Sequence, residues 1–333
     1  DLHTAYRRQR QMCIRDRVVE PEGTKEELAK VKDLLGSYTT NYSTSSAGRC
    51  ANISVAAGKI NGTVLYPGEE FSVGQTIGPL TAAGGYELAG AYENGQTVQS
   101  YGGGVCQVST TLYNAVLKAE LEVTQRSNHS MIVTYVKPSM DAAIAGDYKD
   151  LKFVNNLDAP IYIEGYTVGK DIYFNIYGQE TRPSNRKVTY ESEVVSEEDP
   201  GTQFVATGDA VGSISTTQGK HMGYVARLWK IVTVDGVEQS RDAINKSTYK
   251  SSPKIVNVGT ASADPNATAA VNAALATGDE ATIYATVAQY SGAGQTPAET
   301  PAETPADGSA EAAAILGTVD ESQITENTTT EGQ

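Results

Sequence analysis

The chain has 333 residues, with 26 Lys and Arg against 40 Asp and Glu and a formal net charge of -14. That length leaves room for two domains and a tail. The acidic balance offers no basic footprint and so excludes a nucleic-acid partner, and no apolar run is long enough for a membrane-crossing helix.

The opening 17 residues, "DLHTAYRRQRQMCIRDR", are basic and lack the apolar core of a signal peptide. They resemble translated sequencing-adapter DNA, so the native chain is expected to begin near Val18. The other reading is the basic flank of a membrane anchor lying ahead of it. Residues 18–48 read as a helix and a lead-in. In "TKEELAKVKDLLGSY", Thr24 and Glu27 form a capping-box pattern, Leu28, Val31, Leu34 and Leu35 share one helical face, and Gly36 ends the helix. From Asn52 to Val73, apolar runs broken by "GKING" and "YPGEE" predict strands or short helices joined by tight turns.

Beyond the glycines at 102–104, Val108, Leu112, Ala115, Val116 and Ala119 recur at helical spacing, which predicts a helix over 107–119. "LEVTQ" and "MIVTYV" read as strands, and "LKFVNNLDAPIYIEGYTVGKDIYFNIYG" as a hairpin series. Residues 49–181 are thus an α+β domain with a central helix on antiparallel strands. "RPSNRK", 182–187, reads as a linker. Residues 188–260 show β-type runs and frequent glycine, which predicts a small all-β domain. Residues 261–333 hold "TPAETPAETPADGSAE" and 11 Asp or Glu with no Lys or Arg. They read as a mostly disordered acidic tail.

Setting aside Cys13 in the opening segment, Cys50 and Cys106 remain, without C-x-x-C spacing. No structural zinc, other metal or cofactor is expected from them. A Cys50–Cys106 disulfide stays open as an alternative incompatible with a nucleophilic Cys106. In "YGGGVCQVSTTLYNAV", Cys106 falls where the helical pattern begins. Backbone N–H groups and the macrodipole there favour a thiolate. Gly103 and Gly104 would let a substrate approach the main chain, and N–H groups of Cys106 or Gln107 could receive an oxyanion.

Such a nucleophile needs a base. A helix from 107 to 119 runs about 20 Å away from Cys106, and an extended return over 120–127 covers about 25 Å. That can bring His129 beside Cys106; the alternative is a structural histidine. His221 reads as a surface or packing histidine. Asp141 either orients the imidazole or caps a turn. Ser109 reads as a substrate-binding hydroxyl or a helix-start hydrogen bonder, and Arg126 and Tyr135 as substrate-recognition or packing residues.

The stretches "RCANISVAAGKINGTVLYPGEEFSVGQTIGP", "YGGGVCQVSTTLYNAVLKAELEVTQRSNHSMIVTYV" and "DLKFVNNLDAPIYIEGY" together resemble the VanW domain, and the segment ending in "VNVGT" resembles the G-five domain of wall-associated proteins. The resemblance implies an extracellular, wall-associated protein of a Gram-positive envelope, with links to vancomycin resistance. It also implies a cysteine L,D-transpeptidase-like acyl transferase acting on peptidoglycan stem peptides, with Cys106 as nucleophile and His129 as base. The order departs from the "SHGC" signature of better-known L,D-transpeptidases, so the mechanism carries over as roles only. Two alternatives stand beside it: a cysteine carboxypeptidase or endopeptidase on the same substrate, and a non-catalytic adaptor binding wall peptide or glycan. An acidic face is expected to receive an acceptor amine.

Overall fold

The computed structural model describes residues 23–93 and 96–291. The opening 17 residues and the repeat of the acidic tail lie outside them. The capping box at Thr24 forms: its hydroxyl accepts from the Glu27 N–H at 3.1 Å, and its own N–H donates to Glu27 Oε2 at 2.8 Å. The helix it starts, α1 (Lys25–Leu28), lasts one turn. Leu34 and Leu35 then stand in strand β1 (Asp33–Asn41), contrary to the helical reading. Leu35 enters the core while Leu34 stays exposed, and the strand's ladder with a later hairpin replaces the local helical preference. Gly36 is no helix terminator. A Cβ there would lie 2.3 Å from the Ala115 carbonyl oxygen, so glycine lets the strand press against a helix.

Helix α2 (Ala47–Ile60) occupies much of the stretch expected to be broken up, and is capped by Ser46. Short strands β2 (Thr63–Leu65) and β3 (Glu70–Ser72) and the one-and-a-half-turn α3 (Val73–Ile77) follow the two expected turns. A hairpin of β4 (Leu88–Glu93) and β5 (Gln96–Tyr101) leads into α4 (Val105–Lys118). After β6 (Glu122–Gln125), the "MIVTYV" segment is irregular rather than a strand. Met131, Val133 and Val136 are buried without a ladder to extend.

Strand β7 (Lys152–Val154) pairs with β3 and β6, while β8 (Ile161–Val168) and β9 (Asp171–Gly178) form the expected hairpin. The main sheet has the order β1-β9-β8-β2 and is antiparallel throughout. Ile172, Phe174 and Ile176 alternate inward along β9, as a half-buried strand requires, and pack with Ile53, Ile60, Val108 and Leu112 of α2 and α4. This is the α+β layer expected from the sequence, with α4 central.

The 182–187 corner is pinned rather than loose: the Arg182 guanidinium donates to the Leu35 and Lys118 carbonyls at 3.0 and 2.9 Å. Beyond it lie two three-stranded sheets. One joins β10 (Arg186–Glu198), β13 (Gly223–Val234) and β14 (Val237–Tyr249); the other joins β11 (Thr202–Ala210), β12 (Ile214–Gln218) and β15 (Lys254–Ala261). The all-β reading of this region holds. Its first sheet lies against the first domain, where Leu228 joins the main core and Glu120, at the end of α4, pairs with Arg186 and Lys230.

The disordered reading of the tail fails over its first part. Helices α5 (Pro265–Thr277) and α6 (Glu280–Tyr290) cover the second sheet. Asp264 and Asp279 cap them, Gly278 turns the chain between them, and Val271, Ile283 and Val287 bury against Val256 and Val258. The average composition of the tail conceals these two short apolar faces. Among the described residues no helix is long and apolar enough to cross a membrane.

Candidate active site

The glycine run links β5 to α4 and sits in a tight socket. Gly103 has the carbonyl oxygens of Gly90 and Ala89 at 2.7 and 2.8 Å from where a Cβ would be, and Gly104, the N-cap, has φ 109°. Asn52, fully buried in α2, donates to the carbonyls of Glu87 and Gly103 and accepts from the Glu87 N–H. The loop is therefore held by side-chain bonds as well as by its own shape.

Cys106, a half-buried residue, stands in the first turn of α4 and lines a cleft of about 780 Å³. Both Cys50 and Cys106 are free thiols, so the disulfide alternative is not realised. The Ile144 N–H donates to the Cys106 sulfur at 3.4 Å, and the Ile144 carbonyl lies at the same distance. The His129 ring lines the same cleft and lies near enough to the thiol to lower its pKa. Its Nδ1 is 2.7 Å from Asp141 Oδ2, so Nε2 is the nitrogen left for Cys106.

Asp141 is wholly buried and saturated. Its Oδ2 accepts from the His129 backbone N–H at 2.7 Å as well as facing the ring. Its Oδ1 accepts from Arg126 Nη2 at 2.8 Å and from the Tyr249 hydroxyl at 2.5 Å. Burial alone would raise the carboxyl pKa, but His129 and Arg126 outweigh it and hold Asp141 at about 2. Burial would likewise discharge His129, yet Asp141 and Cys106 lift it to about 10. For Cys106, burial opposes ionisation, and the bond and charge of His129, the Ile144 backbone and the Arg49 charge bring the pKa below its ordinary value. These shifts all favour charge separation between the Cys106 thiol and the His129 ring, beside the Asp141 carboxylate.

The remaining expected residues divide. Tyr135 lines the cleft and meets the His129 ring edge-on at 6.4 Å. Ser109 does not face the cleft: fully buried, it donates to the carbonyls of Cys106 and Ala142. With Thr110, which also bonds Ala142, it ties α4 to the segment carrying Asp141 and Ile144. Arg126 is turned from the cleft toward Asp141 and Ser247. The Gln107 amide is taken by Thr40, the Asn41 carbonyl and Arg49, so it supports Arg49 rather than substrate. The Val105 and Gln107 N–H groups donate to the Gly102 and Gly104 carbonyls. Among the described residues this leaves the Cys106 N–H as the first-turn donor closest to the sulfur.

Sequence reasoning missed Arg49 and Tyr249. Arg49, Asn52, Ile53 and Ala56 follow helical spacing on the buried face of α2, and two polar residues on that face were the available signal. The cleft wall also corrects the expected acidic face. It includes Arg49, Lys149 and Lys250 and, among the described residues lining it, no Asp or Glu.

Residues 48–177 match the family model described as VanW like protein, and residues 191–261 match the G5 domain model. The chain is thus similar to the VanW family over its first domain and to the G5 domain over its second. It is 36% identical over 163 residues to "Uncharacterized protein YoaR" of Bacillus subtilis (strain 168), covering 49% of this chain and 54% of that protein. It is 30% identical over 118 residues to "Vancomycin B-type resistance protein VanW" of Enterococcus faecalis (strain ATCC 700802 / V583), covering 34% and 42%. The chain thus spans about half the length of the curated relatives it matches. Among solved structures, "IgA1 Protease G5 domain structure" aligns at 26% identity over 23% of this chain and 94% of that one, with a TM-score of 0.18.

Proposed function

We propose that this protein, with its VanW-like and G5 domains, is a wall-associated cysteine acyl transferase of the L,D-transpeptidase type, acting on peptidoglycan stem peptides outside the cell. The observation that carries the reading is that Cys106 and His129 line one cleft, with the His129 ring held 2.7 Å from the buried Asp141 carboxylate. A structural histidine needs neither a neighbouring thiol nor a saturated carboxylate. Together they are the parts of nucleophilic catalysis.

In the first half-reaction the Cys106 thiolate attacks the amide carbonyl after the diamino acid of a stem peptide. The Cys106 N–H stabilises the developing oxyanion. The C–N bond breaks as His129 passes its proton to the departing amino group, which leaves a thioester and a neutral imidazole. In the second, an acceptor amine attacks the thioester, His129 takes its proton, and the thiolate leaves as the new amide forms. Asp141 stabilises the imidazolium in both. The cations along the cleft suit a donor peptide carrying free carboxylates.

Product analysis after incubation with tetrapeptide muropeptides tests the reading. Cross-linked dimers, absent with Cys106→Ala, are the expected result. Trimmed monomers would place water in the acceptor role and make the protein a hydrolase. Unchanged muropeptides that nonetheless bind equally to both proteins would leave only an adaptor.

A further inference from the structure

We infer that the second domain completes the active site, with Tyr249 at the end of β14 as a positioning residue for Asp141 and, through it, for His129. The inference rests on the thiol–imidazole reading above and adds to it a part that no motif of the first domain contains.

Alternate residues of a strand share a face, and Asn245, Ser247 and Tyr249 present theirs to the loop that holds the site. Asn245 donates to the Tyr113 hydroxyl at 2.9 Å and the Ser139 carbonyl at 3.1 Å. The Ser247 hydroxyl accepts from Arg126 Nη1 at 2.8 Å, while Nη2 of that guanidinium holds Asp141. The Tyr249 hydroxyl accepts from the Ser139 N–H at 2.7 Å and donates its single proton to Asp141 Oδ1 at 2.5 Å. Tyr249 is 2% exposed, so water does not substitute for it.

The same strand grips the chain on both sides of His129. The Asn128 amide donates to the Thr248 carbonyl at 2.9 Å, and the Lys250 N–H donates to the Ser130 carbonyl at 2.7 Å. Other bonds join the two domains elsewhere, at Glu120, Leu117 and Pro138. Those from Ser247 to Lys250 fall on the carboxylate, on its arginine and on the residues flanking the imidazole. Each Asp141 oxygen has two donors, and one of the four comes from β14. Burial and the Asp141 charge push the Tyr249 phenol pKa upward, so it remains a proton donor across the working range. Lys250 and Ser251 continue from β14 along the cleft wall, which makes the substrate channel a two-domain feature as well.

The test measures iodoacetamide alkylation of the Cys106 peptide against pH, by mass spectrometry on the full chain. Three proteins are compared: wild type, Tyr249→Phe and Asn245→Ala. Losing the hydroxyl is expected to raise the acid limb by about one pH unit, slowing alkylation at pH 6 about tenfold. Asn245→Ala breaks neighbouring interface bonds without touching Asp141 and should leave the profile in place while lowering the melting temperature. Ser247→Ala, which keeps the aromatic packing, should move the limb the same way by less, and it decides the matter if Tyr249→Phe does not fold. A Tyr249→Phe or Ser247→Ala profile superimposable on wild type, or an equal shift in Asn245→Ala, would overturn the inference. A wild-type Cys106 that titrates like a free thiol would instead overturn the reading beneath it, and the inference with it.

Discussion

Asp141 Oδ2 lies 2.7 Å from His129 Nδ1 and 2.7 Å from the backbone nitrogen of the same residue. One carboxylate oxygen therefore fixes both the main chain and the ring of His129. The ring has little freedom to turn Nε2 away from Cys106. Asp141→Asn would put an amide among four donors, and whichever way it turned, an NH2 would face an N–H or a guanidinium. It would also leave Arg126 buried without its counter-charge. The expected loss is about 3–5 kcal/mol in a urea melt, together with Cys106 alkylation at pH 6 slowed at least about tenfold.

Charge in the Cys106–His129 pair sets the pH dependence. The thiol is held below its ordinary value and His129 is raised to about 10. Alkylation of wild type should thus persist well below pH 8, whereas in His129→Ala burial is left to dominate and the limb should move above that of a free thiol. Acyl transfer should fall as pH rises through about 10, because the imidazolium that protonates the leaving amine is lost, while alkylation continues. Parallel decline of both rates above pH 10 would contradict this assignment.

Glu120 joins the domains electrostatically, 2.6 Å from Lys230 Nζ and within 2.9 Å of Arg186. Although its partial burial opposes ionisation, Arg186 and Lys230 hold its pKa down at about 2. A carboxylate depressed on folding stabilises the native state above its unfolded value, near 4.5, and this contribution is lost as pH falls through about 2. Thermal melts between pH 5 and 2 are expected to show that loss in wild type and to be flatter in Glu120→Gln. The variant should be less stable at neutral pH by about 1 kcal/mol or more.

Gly103→Ala places a methyl group 2.7 Å from the Gly90 carbonyl oxygen, with the backbone on both sides and no flexible side chain to yield. Gly104→Ala adds an unfavourable φ to a 2.9 Å approach to Arg49 Cγ. Each is expected to cost about 1–3 kcal/mol and to retract the Cys106 sulfur from its partners. The paired readout is a lower melting temperature with an alkylation profile moved toward a free thiol; a variant with unchanged values in both would contradict the socket.

Much of this was legible in the chain itself. The helical spacing behind Cys106 and the alternation along β9 both follow from burial on one face, and both elements formed. The path from α4 back through β6 was long enough to return His129, which lines the same cleft as Cys106. Leu34 and Leu35 misled because a short apolar run fits a helix or a strand, and only the partner strand β9 decides between them. The helices after Asp264 were obscured by averaging their few apolar residues with the acidic repeat. Tyr249 was out of reach for another reason: it acts on Asp141 across 108 residues, and nothing local to either residue reports the contact.

Intact-mass analysis of the protein mixed with a tetrapeptide stem, quenched in acid during turnover, tests the central claim most directly. The account requires a covalent adduct equal in mass to the acyl tripeptide, mapped to Cys106, with release of the terminal amino acid and no adduct in Cys106→Ala. Product formation with Cys106 never acylated, or an adduct that survives in Cys106→Ala, would contradict it.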